Sequence, residues 1–330
     1  MTDTIHRSRY GSPEQVAAFA HAHDAIAASV ERVIQGKPEV VRLGLACLFA
    51  GGHLLIEDVP GVGKTSLAKA LARSIDASWY RIQFTPDLLP SDITGVAVWH
   101  QERREFEFRP GAVFANLVLA DEINRASPKT QSALLEVMEE RQVTIDAVRH
   151  PVPRPFMVIA TQNPIDLDGT YRLPEAQLDR FLLRIAVGYP DDHTEAEILS
   201  RRVVTGDAEQ ASPVVDLDQL NVMIALTAGL YVDPAVTAYI VAITKATRAR
   251  PELRLGASPR GSLALQRAAQ AHAAGDGRHY VTPDDVKIMA PAVLGHRLLL
   301  TAEAEVRGTR GEEVLADILA TVPVPATVAR

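Results

Sequence analysis

The sequence predicts an α/β domain built on a parallel sheet, followed by a smaller all-helical domain. Three short apolar stretches, each ending at polar or small residues, span 53–56, 116–120 and 156–161. Continuous apolar stretches of this length are typical of strands buried on both faces of a parallel sheet. Three cap-and-proline pairs, each followed by helix-spaced apolar residues, predict helices in the second domain: Asp233-Pro234, Ser258-Pro259 and Thr282-Pro283.

Length and composition agree with this organisation. A chain of 330 residues is long enough for about two domains. We place an N-terminal helix and the α/β core at 1–204, a polar linker at 205–215 and the helical domain at 216–330. Hydrophobic residues make up 47% of the chain and charged residues 23%, which is an ordinary globular composition.

Charge and apolar patterning exclude several classes of protein. The formal net charge of −7 disfavours a chain whose main role is to neutralise nucleic-acid phosphates. The longest apolar run, 43–56, is interrupted by glycines and is too short to span a bilayer, and no N-terminal signal pattern precedes it. We therefore expect a cytoplasmic protein without membrane insertion. Cys47 is the only cysteine, which excludes an internal disulfide and favours a buried, inert thiol.

Two helices are predicted before the first apolar stretch. Ser12, Pro13 and Gln15 have the spacing of a capping box with proline at the first helical position. Apolar residues then follow at steps of three and four as far as Val33, and 40–48 reads as a second helix.

The loop after the first apolar stretch has the layout of a phosphate-binding site. Backbone N–H groups of a glycine loop can converge on an anion, and the following helix adds its positive dipole end. Lys64 would reach the β- and γ-phosphates, and the Thr65 hydroxyl would ligate Mg²⁺. The pattern G-x-x-x-x-G-K-[ST] asks for glycine where Asp58 stands, which puts a carboxylate near phosphates and leaves an ordinary strand-to-helix turn as the alternative. The candidate nucleotide-binding residues are Pro60, Gly61, Val62, Gly63, Lys64, Thr65 and Ser66.

Polar side chains also follow the second and third apolar stretches. The second ends in Asp121 and Glu122, which could hold Mg²⁺ through water and polarise the attacking water, respectively. The third ends in Gln162 and Asn163, followed by proline. Such an amide could orient the lytic water, although Asn-Pro is also common turn chemistry.

Two further segments predict β-hairpins inserted into the core. Residues 85–112 contain a strand-like stretch at 96–99 and a period-two alternation at 105–108. Residues 142–152 show a similar alternation. A surface excursion without a specific role is the alternative for the first insert.

Four motifs in this order resemble those of the MoxR family of AAA+ ATPases, from about residue 30 to the C-terminus. They are Pro60-Gly61-Val62-Gly63-Lys64-Thr65, the run 117–125 around Asp121-Glu122, the run 160–164 around Asn163, and the run 173–181 that contains Asp179-Arg180-Phe181. The resemblance implies a P-loop AAA+ core with hairpin inserts, followed by a small all-α lid domain.

The same resemblance implies roles for single residues. Lys64 and Thr65 match Walker A, Asp121 and Glu122 match Walker B, and Asn163 matches the first sensor. Arg180 matches the arginine finger, which in this class acts on the nucleotide of the neighbouring subunit. Arg172 and Arg184 lie close by in the sequence and are rivals for that role.

Arg260 is a further candidate. It falls in the first turn of a predicted helix, where a cation opposes the helix dipole unless an anion is bound. The resemblance makes it the second sensor, in contact with the γ-phosphate; pairing with an acidic side chain is the alternative.

By resemblance, the expected function is Mg²⁺-dependent ATP hydrolysis in a homo-oligomeric ring, expected to be a hexamer. Proteins of this family are thought to remodel or mature partner proteins, often ones with a von Willebrand factor A domain. Two alternatives stay open: a nucleic-acid-stimulated motor and a nucleotide-gated scaffold with little hydrolysis. The mixed charge of the first insert's tip, 101–105, disfavours the motor.

Overall fold

The computed structural model describes residues 11–59, 61–163, 170–197 and 211–325. Most of the linker placed at 205–215 lies outside these ranges. Residues 192–197 are helical. Ser212 exchanges hydrogen bonds with the Ser29 hydroxyl through its N–H and C=O groups, so the described end of the linker packs on the core.

The core contains a parallel sheet with helices on both faces and two inserted hairpins. Its strands are β1 Leu54–Glu57, β2 Trp79–Gln83, β3 Gly95–His100, β4 Glu105–Pro110, β5 Leu117–Asp121, β6 Gln142–Ile145, β7 Val148–Pro151, β8 Met157–Gln162 and β9 Leu183–Ile185. Its helices are α1 Pro13–Glu31, α2 Pro38–Phe49, α3 Lys64–Ser74, α4 Pro90–Thr94, α5 Pro128–Glu140 and α6 Glu175–Leu178. These bounds confirm the predicted strands and the helix capped by Ser12.

The sheet has the order β2-β5-β8-β1-β9, and all neighbouring pairs are parallel. We call the edge where these strands end the carboxyl edge and the edge where they begin the amino edge. The three stretches that carry candidate site residues therefore form adjacent strands, in the order β5, β8, β1. Parallel strands deliver the residues that follow them to the same edge, which explains why motifs far apart in sequence meet.

Side-chain alternation along β1 fills two separate apolar cores. Leu54 and Ile56 belong to the core shared with α1, α2, α3 and the helical domain, whereas Leu55 belongs to the core on the α5 face. All three side chains are fully buried, as expected for a central strand covered on both faces. Cys47 is also fully buried, as predicted, and burial raises the pKa of its thiol.

Both predicted hairpins are present. β3 pairs with β4, and β6 pairs with β7, each pair antiparallel. The hairpins touch at their bases, where the rings of Phe108 and His150 stack with centroids 3.8 Å apart. Farther out on the first hairpin, Trp99 and Phe106 contact each other edge to face and are at least half exposed.

The second domain is helical, as predicted, with one small addition. Its elements are α7 Leu217–Ala228, α8 Pro234–Ala249, β10 Leu253–Leu255, α9 Pro259–Gly275, α10 Pro283–Leu294, β11 Leu299–Leu300, α11 Ala302–Val306 and α12 Gly311–Thr321. All three cap-and-proline starts are confirmed: Asp233, Ser258 and Thr282 each accept a hydrogen bond from the first turn of their helix. The antiparallel pair β10–β11 joins segments 44 or more residues apart, so local helical periodicity did not predict it.

Arg297 fastens the helical domain to the core. Its buried guanidinium pairs with the Asp179 carboxylate at 2.7 Å and donates to the carbonyl groups of Phe181 and Leu182. It also donates to the Val293 carbonyl in its own domain. No helix within the described ranges is long and apolar enough to cross a membrane.

Candidate nucleotide-binding site

The glycine loop, residues 58–63, joins the carboxyl end of β1 to the start of α3. Gly61 and Gly63 have φ angles of +88° and +94°, which side-chain-bearing residues rarely adopt. A Cβ atom on Gly61 would meet no atom within 4 Å, so the loop faces open space there. The eleven-residue α3 begins at Lys64, with its N-terminus at this opening. Pro60 lies outside the described residues. The local geometry is that of an anion cradle.

Asp58, the departure from the phosphate-loop pattern, has both carboxylate oxygens bonded to backbone N–H groups. Its Oδ2 accepts hydrogen bonds from the backbone N–H groups of Val187 at 2.7 Å and Gly188 at 2.6 Å. Its Oδ1 accepts from the N–H of Val59 at 2.7 Å. Backbone N–H groups, two of them in the segment that follows β9, therefore occupy both oxygens of the carboxylate that the sequence places near the phosphates.

Lys64 connects the cradle to the acidic residues. Its ammonium donates to the Asp58 carbonyl at 2.7 Å. Burial lowers its pKa, while the charges of Asp58, Asp121 and Glu122 raise it. The amine thus lies within electrostatic reach of the carboxylates that end β5, as the predicted site requires.

Asp121 ends β5 as a nearly buried carboxylate with both oxygens engaged. Oδ1 accepts a hydrogen bond from the Thr161 hydroxyl at 2.6 Å. Oδ2 accepts from Arg81 Nη2 at 2.6 Å and from Arg81 Nε at 3.1 Å. The sequence patterns did not identify Arg81 as a site residue. The one feature that could have indicated it is the spacing of two from Gln83, which places both side chains on the same face of β2.

Glu122 follows in a left-handed backbone conformation, with φ +56°. Its N–H donates to the Thr161 hydroxyl at 2.9 Å. Its Oε2 accepts from Gln83 Nε2 at 3.1 Å and pairs with Arg125 Nε at 2.9 Å. Non-glycine residues held at positive φ cluster at functional sites. At Glu122 this conformation ends the extended backbone of β5.

The first-sensor candidate lies between the two motifs. Asn163 follows β8, which separates β5 from β1 in the sheet, and it is 7% exposed. The adjacent Gln162 donates through Nε2 to Glu57 Oε1 at 2.8 Å, which ties the ends of β8 and β1 together.

The structure does not bring Arg180 or Arg260 to this chain's own cradle. Both pair with Glu139: Arg180 Nη2 lies 2.9 Å from Oε2, and Arg260 Nη2 lies 3.1 Å from Oε1. Glu139 ends α5 beside Met138, whose carbonyl lies 3.0 Å from Nε2 of His53, the residue preceding β1. Both arginines therefore lie at the amino edge, separated from the cradle by the length of β1, about 13 Å at roughly 3.3 Å per residue. Of the two roles considered for Arg260, contact with the γ-phosphate or pairing with an acidic side chain, the structure shows the second.

The rival arginines differ in their surroundings. Arg184 Nη1 pairs with Glu57 Oε2 at 2.9 Å, and its Nη2 lies 3.5 Å from Glu312 Oε1. Arg172 is exposed. Arg184 is thus occupied within its own chain at the end of β1.

The donor set at the carboxyl edge fits a magnesium nucleotide. Thr65 in the first turn of α3 and Asp121 at the end of β5 offer a hydroxyl and a carboxylate, the hard oxygen donors that Mg²⁺ takes. The cradle's open loop and Lys64 suit the phosphates. A glycine loop that joins a strand of a parallel sheet to a helix, two adjacent acids after a strand two positions away, and an appended helical domain are the arrangement of AAA+ ATPases.

Comparisons with known proteins agree with this class. The family model for the ATPase family associated with various cellular activities (AAA) matches residues 53–183, and the model for the AAA lid domain matches residues 245–318. Chaperone MoxR1 of Mycobacterium tuberculosis is 44% identical over 329 residues, covering 97% of this chain and 87% of its own. The chain belongs to the MoxR family of AAA+ ATPases.

Two other similar proteins extend the comparison. YeaC of Bacillus subtilis, which is uncharacterised, is 49% identical over 296 residues, covering 90% of this chain and 92% of its own. The crystal structure of a presumed ATPase from Cytophaga hutchinsonii superposes with a TM-score of 0.88 at 36% identity. That match covers 95% of this chain and 98% of the other, so the arrangement of core and helical domain is shared.

Proposed function

We propose that this protein hydrolyses ATP with the help of Mg²⁺ in a ring of identical subunits, expected to be a hexamer, and that hydrolysis remodels or matures a partner protein. The observation that carries the proposal is that Lys64, at the start of α3, lies within electrostatic reach of Asp121 and Glu122 at the carboxyl edge. Lys64 would supply a cation, Asp121 a metal ligand and Glu122 a base, and phosphoryl transfer requires all three.

The residues of one chain would bind the nucleotide and activate water. The glycine loop and the N-terminus of α3 would bind the phosphates, with Lys64 on the β- and γ-phosphates. Thr65 and Asp121 would hold Mg²⁺, which when bound supplies positive charge to the phosphate oxygens. Asn163 would orient the attacking water, and Glu122 would take its proton after leaving Gln83 and Arg125.

Arg180 and Arg260 would act on the nucleotide of a neighbouring subunit. Their common position at the amino edge supports this assignment, because neither reaches its own cradle in this conformation. An arginine supplied across an interface can raise the rate of phosphoryl transfer by about 10³–10⁵-fold. The resemblance implied action on a neighbour's nucleotide for Arg180 alone, and we propose the same action for Arg260.

The partner is proposed from the family. The name of the mycobacterial relative is that of a chaperone, which supports a protein client. A client with a von Willebrand factor A domain follows from the family resemblance alone. A pull-down with Glu122→Gln protein and ATP should retain the client, whereas Lys64→Ala protein, which we expect not to bind nucleotide, should not.

Steady-state ATP turnover tests the enzymatic part. Lys64→Ala should abolish nucleotide binding, and Glu122→Gln should preserve binding while lowering turnover at least about 100-fold. Equal turnover in wild type and Glu122→Gln would favour a nucleotide-gated scaffold, and a several-fold rise with nucleic acid would favour a motor. Mixed Arg180→Ala and Glu122→Gln subunits should recover part of the lost turnover; no recovery would contradict action on the neighbour.

A further inference from the structure

We propose that Arg81 is a positioning residue that neutralises the Asp121 carboxylate and holds its orientation while no metal is bound. This inference rests on the proposed function, since it concerns the same site. Arg81 lies on β2 and Asp121 on the adjacent β5, and their side chains form the 2.6 Å ion pair described above.

Because the Asp121 carboxylate is nearly buried, the loss of its ion pair with Arg81 would be energetically costly. The Asp121 side chain is 11% exposed, so an uncompensated charge there would be costly and would repel nucleotide phosphates. The Arg81 side chain is 47% exposed, which leaves it able to move without opening the core. Lys64, whose ammonium also lies within electrostatic reach of Asp121, has that ammonium bonded to the Asp58 carbonyl. Arg81 is therefore the group that balances Asp121 directly.

The hydrogen bonds also fix which part of the carboxylate can accept a ligand. An ionised carboxylate has about four lone-pair sites. Arg81 takes two on Oδ2, and the Thr161 hydroxyl takes one on Oδ1. The remaining site is on Oδ1, which is where this carboxylate could accept a further ligand.

Arg81 further connects the metal ligand to the base. Its Nη2 also donates to Gln83 Oε1 at 2.9 Å, which directs the amide nitrogen of Gln83 toward Glu122. A continuous chain of hydrogen bonds thus runs from Asp121 through Arg81 and Gln83 to Glu122. A change in how Arg81 contacts Asp121 would alter the orientation of the amide that holds the base.

Equilibrium binding of a fluorescent ADP analogue, measured in saturating Mg²⁺ and again in EDTA, tests the proposal. The relevant quantity is the metal linkage, defined as Kd in EDTA divided by Kd in Mg²⁺. In Arg81→Ala we expect Kd in EDTA to rise about tenfold and Kd in Mg²⁺ to change less than about threefold, because only the metal-free complex leaves Asp121 uncompensated. Arg81→Lys should restore most of the wild-type linkage, and Arg81→Gln should behave like Arg81→Ala.

Arg307→Ala is the matched control, because Arg307 forms an exposed ion pair with Glu303 on the helical domain. Its linkage should equal that of the wild type. Linkage in Arg81→Ala within twofold of the wild type would overturn the inference, as would equal weakening in both conditions, which is the mark of a merely structural arginine. Wild-type protein that binds the analogue in neither condition would refute the proposed function itself. Arg81→Ala should raise the linkage above that of the wild type. In the double variant Asp121→Asn/Arg81→Ala, a linkage no higher than that of Asp121→Asn alone would support action through Asp121.

Discussion

Replacement of Asp58 separates a structural role for this carboxylate from a role in nucleotide binding. In wild type, Asp58 accepts hydrogen bonds from Val187 and Gly188, residues that follow β9 and lie about 130 positions away in the sequence. Asp58→Ala removes both bonds and the local bond to Val59. Asp58→Gly does the same and restores the usual phosphate-loop pattern.

The structure sets the expected magnitude. A hydrogen bond to a charged group contributes about 1.5–3 kcal/mol, and a partly exposed acceptor falls at the lower end of that range. Two long-range bonds therefore predict a loss of about 2–4 kcal/mol in unfolding free energy for Asp58→Ala. Asp58→Gly should lose roughly a further 0.5–1 kcal/mol, because glycine has more backbone freedom in the unfolded chain.

Urea unfolding and nucleotide binding should be measured on the same preparations. We expect both variants to lose stability while Kd for Mg²⁺-ADP changes less than about threefold, because backbone N–H groups already occupy both carboxylate oxygens. Glu136→Ala, a change of an exposed acid on α5, serves as the control and should leave both quantities unchanged. Nucleotide binding that tightens about tenfold in Asp58→Gly, with stability unchanged, would refute the reasoning.

Three further predictions concern the amino edge and the helical domain. Burial, together with the charge of Arg141, lowers the pKa of His53 from 6.5 to about 3, so the unfolded chain binds a proton in this range that the native chain does not. The unfolding free energy should therefore decrease as pH drops below 6.5, by up to about 4 kcal/mol near pH 3.5. Urea unfolding at a series of pH values should show a smaller decrease for His53→Gln. An equal dependence of unfolding free energy on pH in both proteins would contradict this. Glu139→Ala should lower, by about threefold or more, the protein concentration at which ATP turnover is half-maximal, since it frees two guanidinium groups for a neighbour's phosphates; an unchanged or higher concentration would count against that role. Arg297→Met should cost about 3–5 kcal/mol in urea unfolding because it strands the partly buried Asp179, and a loss below 1 kcal/mol would contradict the fastening role.

Much of the fold follows from local patterns. The strands that form the sheet are continuous apolar stretches, and every helix of the second domain that begins with a cap and proline could be predicted from those two residues. The cradle was recognisable because glycine, lysine and threonine are needed at fixed spacing around a helix start. These features are encoded within about ten residues of one another, so a single sequence is sufficient to find them.

The remaining features depend on distant partners. The acceptor role of Asp58 requires the backbone of Val187 and Gly188, and nothing near residue 58 signals it. Arg81 sits on an edge strand whose alternation resembles a solvated face, so its ion pair with Asp121 appears only when β2 and β5 are paired. The position of Arg260 follows from how the helical domain docks, which helix periodicity does not determine.

One continuous apolar core is shared by α1, the sheet and the helical domain. Arg297 adds buried bonds at the same junction, so bending there would expose apolar surface and strand a buried cation. We therefore expect the core and the helical domain to move as one body, so that a displacement at the carboxyl edge also shifts the amino edge. In an assembly of such subunits, nucleotide-driven motion would concentrate at the joints between copies.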